Sequence, residues 1–128
     1  MTAEELCESH GIPIYYFEGN DLDRAGVYNP HFNAIAINSK LEGIQKKKVL
    51  YHEFGHKDHT VNFYTVHREK AEAQANRKMI RCLLEEYIPQ LEDISDFNYI
   101  QFMEFAELKT NADEAIVIEE YYNLLDAV

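Results

Sequence analysis

The chain has 128 residues, 46% of them hydrophobic and 27% charged, with a formal net charge of −11. That length suits one compact domain spanning residues 1–128, and the composition is that of an ordinary soluble globular protein. No run approaches the roughly 20 apolar residues of a bilayer-spanning helix, and the start, MTAEELCESHG, is acidic where a signal peptide is basic and then apolar, so a cytoplasmic protein with no membrane partner is expected.

The charge is unevenly placed. Residues 1–84 hold eleven Lys/Arg and eleven Asp/Glu, whereas residues 85–128 hold twelve acids and one base, Lys109. An acidic surface repels phosphates and gains nothing from counterion release, which disfavours direct nucleic-acid binding. It reads as a solubilising face, or more sharply as a docking face for a basic partner. Cys7 and Cys82 match no CxxC spacing and are read as small core residues rather than a disulfide.

In chain order, Thr2-Ala-Glu-Glu5 is a capping-box pattern and Gly11 a stop, which predicts a helix over residues 3–10. IPIYYF (12–17) is β-branched and aromatic, EGNDLDR (18–24) a polar loop, and AGVY (25–28) and NAIAIN (33–38) short strands around an Asn29-Pro30 turn. Together they predict a small three-stranded antiparallel sheet packed on a helical bundle, an α+β fold. Ser39-Lys-Leu-Glu42 is a second capping box, opening a helix expected to run to about Lys57. After a loop containing His and Thr, residues 66–87 predict a long helix stopped before Pro89. Residues 96–108 and 111–125 predict two more. Joined by LKTNAD they superficially resemble a helix-turn-helix, but the second, DEAIVIEEYYNLL, has no Lys or Arg to meet DNA and is read as a packing helix.

The chemistry-bearing stretch is His52-Glu53-Phe54-Gly55-His56. On a helix, positions i and i+4 share a face with Cβ atoms about 5–6 Å apart, so His52 and His56 can bind one zinc ion. Glu53, about 100° round the helix, cannot readily join both histidines on the metal but can act as general base toward a water there. With six His and sixteen Glu, a shuffled chain would show HExxH roughly three times in a hundred, so a third ligand is needed to strengthen the case. In REKAEAQANRKMIRCLL the apolar stripe Ala75, Met79, Leu83 extends back to Glu72, and a carboxylate on a core-facing line needs a partner. Glu72 is therefore the expected third ligand, Glu69 the alternative, and His59 and His67 lie within reach. Asn76, one turn beyond Glu72, is placed to hydrogen-bond a ligating imidazole. Gly55 costs about 1 kcal/mol inside a helix relative to alanine, which points to close approach of another element. Tyr64, His67 and His59 are the candidate oxyanion donors, and NAIAIN, were it a sheet edge, could bind substrate backbone by strand addition.

AGVYNPHFNAIAIN leading into VLYHEFGH, then Glu72-Ala-Gln-Ala75-Asn76, then FMEFAELKTNADEAIVIEEYY, together resemble the ImmA/IrrE family of metallopeptidases over essentially the whole chain. Asn76 stands where that family more often has an acid. The resemblance implies a zincin-like fold with HExxH on the active-site helix, His52, His56 and Glu72 as ligands of one Zn2+ per chain, and Glu53 as catalytic base. It also implies a protein substrate, a DNA-binding repressor of a phage or mobile element. The rival expectation is a non-catalytic regulator of the same fold that binds a repressor through its acidic C-terminal helices.

Overall fold

The computed structural model describes residues 1–20 and 24–126. The expected polar loop over residues 18–24 therefore lies partly outside the described residues, as do the last two positions of the expected domain. Helix α1 (Ala3–Ser9) opens on the capping box read from the sequence, with Thr2 and Glu5 each accepting from the other's backbone N–H. It is followed by strands β1 (Ile14–Phe17), β2 (Gly26–Asn29) and β3 (Ala34–Asn38) and helix α2 (Gly43–Phe54). Helices α3 (Val61–Val66), α4 (Arg68–Tyr87), α5 (Tyr99–Ala106) and α6 (Asn111–Asp126) complete an α+β fold. Among the described residues, no helix is long and apolar enough to cross a membrane.

The sheet is mixed, not antiparallel. Its order is β1-β3-β2, with β3 parallel to β1 and antiparallel to β2. Consecutive strands β1 and β2 run in opposite directions, as a meander would have them, but they leave a gap that β3 fills. β1 and β2 therefore lie two inter-strand spacings apart, roughly 10 Å, instead of one. Burial decides which strand takes the middle: Ile35 and Ile37 are fully buried, whereas Tyr15 and Tyr16 on β1 are exposed. The expectation that NAIAIN offers a free edge is thereby corrected, because both of its edges are paired.

Helix α2 departs from expectation at both ends. The Ser39/Glu42 capping box does not form, and Glu42 makes no side-chain cap bond. Asn38 captures the turn instead, its side chain accepting from Lys40 N and its carbonyl from Leu41 N. The helix then starts at Gly43, whose φ of 56° is in the left-handed region that glycine enters without strain. It ends at Phe54, and the next turn tightens to i→i+3 bonds, His56 N to Glu53 O and Lys57 N to Phe54 O. The predicted loop after the motif contains α3, six residues rich in β-branched and aromatic side chains that weigh against a helix. Thr60 overrides that tendency by accepting from Phe63 N at 3.0 Å.

Helix α4 stops at Tyr87, two residues before Pro89, as read from the sequence. Its stripe Ala75, Met79 and Leu83 is buried against α2, and Leu50, Phe54, Ile80, Leu84, Phe102 and Val117 close the core around it. Cys7 and Cys82 are free thiols in that core. Helix α5 is capped by Asn98 and stops at Glu107, which has φ 53°, and Thr110 caps α6 by accepting from Asp113 N.

The charge asymmetry of the sequence becomes pairing in the fold. Glu120, 4% exposed, accepts from Arg77 and Arg81 of α4 at 2.7 and 3.2 Å. Glu119 also meets Arg77, and Glu86 meets Lys47 of α2. The acidic C-terminal third thus partly serves to hold α6 and the end of α4 against Arg77, Arg81 and Lys47 of the charge-balanced first two-thirds.

Candidate functional site

Three elements meet at the end of α2. The last turn of α2 carries His52 and Glu53, and His56 lies just past the helix end. The tightened turn keeps both imidazoles on one side, with ring centroids 5.1 Å apart. Helix α4 runs close beside them because Gly55 has no side chain: a Cβ there would sit 2.8 Å from Ala75 Cα and 3.0 Å from its carbonyl oxygen. This is the close approach that a glycine inside the motif pointed to. Strand β2 closes the third side, where a Cβ on Gly26 would lie 2.8 Å from Val49 Cγ1 and 3.7 Å from Glu53 Cγ.

Of the expected third ligands, the fold brings Glu72 to the histidines and leaves Glu69 exposed. Glu72 Oε2 lies 2.9 Å from His52 Nε2 and Oε1 lies 3.3 Å from His56 Nε2. Tyr64, delivered by α3, donates to Glu72 Oε1 at 2.8 Å, and its ring packs on that of His56 at 5.6 Å. Donor atoms of His52, Glu53 and His56 lie within 4.8 Å of one another.

Asn76 does not reach an imidazole. Its amide donates to Asp113 Oδ1 at 3.0 Å, because the α4 face one turn beyond Glu72 is covered by the start of α6. His67 sits at the α3–α4 junction, exposed, its ring against Phe63. His59 is within reach, but of His56: the two Nδ1 atoms are 2.9 Å apart.

The electrostatics separate the two carboxylates. Burial, with the charge of Glu72 nearby, pushes the Glu53 carboxyl up to about 7 against the opposing pull of Arg24. Its Oε2 is buried and has no hydrogen-bond partner among the described residues. Burial would raise Glu72 too, but hydrogen bonds from Tyr64 and His52 outweigh it and hold Glu72 below the ordinary carboxylate value. Burial pushes His56 down to about 4, leaving a neutral imidazole at physiological pH.

Cavities open on both sides of Glu53. One, about 270 Å³, lies between β2, α3 and α4 and is bordered by Tyr28, Glu53, His56, Tyr64 and Glu72. The other, about 450 Å³, is bordered by His52, Glu53, Asn76 and Asp113. Arg24 and Gly26 border both. Arg24 is a site residue that nothing in its sequence neighbourhood announced.

Two imidazole nitrogens and a carboxylate, with a second carboxylate alongside and open space before them, form the donor set of a common catalytic zinc centre. The residues present fit such an ion. The sequence family described as IrrE N-terminal-like domain, Peptidase M78, matches residues 7–115. No curated protein and no solved structure matches the chain. The matched segment takes in all of the site just described, and the chain belongs to the IrrE N-terminal-like domain family, a family of metallo-type peptidases.

Proposed function

We propose that the chain is a single-domain, zincin-like zinc endopeptidase in which His52, His56 and Glu72 hold one Zn2+ and Glu53 is the general base. The observation that carries this reading is the convergence of both Nε2 atoms on the Glu72 carboxylate, with the unpartnered Glu53 Oε2 beside them. When bound, zinc supplies Lewis acidity, bringing the pKa of a coordinated water to near 7. Glu53 Oε2, buried and without a partner among the described residues, would take the proton of the attacking water as the water oxygen bonds the peptide carbonyl carbon. The C–N bond then breaks, and Glu53 passes the proton to the departing nitrogen. Burial suits Glu53 to this exchange, because a carboxyl titrating near neutrality both takes and returns a proton readily.

Substrate binding belongs to β2. Among the described residues its outer edge is unpaired in the three-stranded sheet, and Gly26, Val27 and Tyr28 border the cavity in front of Glu53, so an extended peptide adds there by backbone hydrogen bonds. Of the three candidate oxyanion donors, Tyr64 is favoured: its hydroxyl is already at Glu72, while His67 borders neither cavity. The substrate is a protein, and the family resemblance favours a DNA-binding repressor.

The test is incubation of zinc-loaded wild type and Glu53→Gln with the repressor encoded nearest the gene. Cleavage by wild type, and binding without cleavage by the variant, is expected. A variant that keeps the full biological effect would sink the peptidase reading in favour of the non-catalytic regulator.

A further inference from the structure

Behind His56 lies a second pair of side chains that zinc binding and proton transfer do not themselves use. His59 Nδ1 is 2.9 Å from His56 Nδ1, and on its far side His59 Nε2 is 2.7 Å from Gln74 Oε1. The His59 ring is fixed between them by stacking on Phe63 of α3, centroids 5.2 Å apart and planes 14° from parallel.

The direction of this chain follows from donor and acceptor chemistry. An amide oxygen only accepts, so His59 Nε2 carries the proton that faces Gln74. A neutral imidazole carries one N–H, so His59 Nδ1 then presents a lone pair. Between two Nδ1 atoms at hydrogen-bond distance one must donate, and that leaves His56 Nδ1 as the donor. His56 Nε2, the nitrogen facing Glu72, is consequently unprotonated. In the reverse arrangement His56 would point an N–H at Glu72, as His52 does, and would have to move that proton before it could ligate.

We propose that Gln74 and His59 are positioning residues that lock His56 in its Nδ1–H tautomer, so that its Nε2 lone pair is presented to the metal. The tautomer rests on the His56–His59–Gln74 contacts, with the Gln74 amide oxygen facing His59, and holds against the Glu72 carboxylate 3.3 Å from His56 Nε2; its consequence for zinc rests on the function proposed above. Outer-shell partners of this kind typically change metal affinity about ten- to a hundredfold when removed. Gln74 is exposed, so changing it leaves the core intact.

The experiment compares wild type, Gln74→Glu, Gln74→Leu and His59→Phe. A carboxylate at position 74 can only accept and preserves the direction of the chain, while leucine removes the acceptor. Long-range 1H–15N correlation spectra of the metal-free 15N-labelled proteins report the His56 tautomer directly. Zinc affinity is read separately by competition with a chromophoric chelator. Wild type and Gln74→Glu are expected in the Nδ1–H form. Gln74→Leu and His59→Phe are expected as tautomer mixtures, with zinc binding weakened about ten- to a hundredfold, and Gln74→Glu at wild-type affinity or tighter. A His56 Nε2–H form in wild type, or a tautomer indifferent to both Gln74→Leu and His59→Phe, would overturn the proposal. So would zinc binding that needs His52, His56 and Glu72 yet ignores position 74. Wild type that binds no zinc, with the Nδ1–H form lost in Gln74→Leu, would instead uphold the positioning pair and overturn the metal reading.

Discussion

Glu72 Oε2 and His52 Nε2 lie 2.9 Å apart, although 20 residues and a six-residue helix separate them in the chain. Helix α3 reverses the direction of the chain between them, and its Tyr64 holds the carboxylate in place. This contact distinguishes Glu72 from Glu69, one turn earlier on the same helix and exposed.

Removing Glu72 should therefore weaken zinc binding where removing Glu69 does not. The expected loss for Glu72→Ala, and for His52→Ala, is about a hundredfold or more, with Glu69→Ala at wild-type affinity. Elemental analysis of the purified proteins gives the first answer and calorimetric titration the magnitude. Zinc retained by Glu72→Ala would move the third ligand elsewhere.

Glu53 should also leave a signature in the metal-free protein. Its folded-state value of about 7 stands above the ordinary 4.5. Between those pH values the folded state binds a proton that the unfolded state has released. Its contribution is thus fully present below about 4.5 and is lost as pH rises through 7. His56, pushed down from 6.5 to about 4, has the opposite sign, adding stability as pH rises from 4 to 6.5. The two oppose each other in mildly acidic solution, and near pH 7 only the loss from Glu53 continues. Glu53→Gln removes that loss, so at pH 8 with chelator present the variant should be more stable than wild type by on the order of 2 kcal/mol. Denaturant unfolding at pH 5 and pH 8 checks this; an equal difference at both would refute it.

Gly55→Ala should strike both stability and site. The added methyl meets backbone atoms of Ala75, not the end of a flexible side chain, so α4 must move away from α2. Overpacking of this kind typically costs about 1–3 kcal/mol. Because Glu72 rides on α4 and the histidines on and just after α2, zinc affinity should fall as well, although no ligand is changed. Calorimetric melting and zinc titration of the one variant test both effects.

The two core thiols predict alkaline lability. Burial pushes Cys7 from 9.0 up to about 12 and Cys82 to about 11, and it raises Tyr51 beside them too. The folded state holds these protons after the unfolded state has lost them. Stability is fully present below pH 9 and should fall as pH rises toward 11, by about 1.4 kcal/mol per pH unit for each thiol. Urea unfolding across that range, with Cys82→Ala giving the shallower slope, is the measurement.

The sequence by itself determined what local chemistry can encode. The Thr2/Glu5 box capped α1, Pro89 stopped α4, and the i, i+4 spacing put His52 and His56 on one side. The stripe Ala75, Met79, Leu83 extended back to Glu72, and Gly55 announced a close neighbour. Each of these depends on residues within a few turns of one another. Tertiary structure alone decided the rest. Alternating side chains specify the faces of a strand but not its partner, so β3 could slip between β1 and β2 and turn an antiparallel expectation into a mixed sheet. The poor helix formers 61–66 became α3 once Thr60 capped them and Tyr64 found Glu72. Asn76 turned to Asp113 when α6 covered its face. Gln74 and Arg24 joined the site from separate segments, and side chains brought together by folding leave no spacing to read.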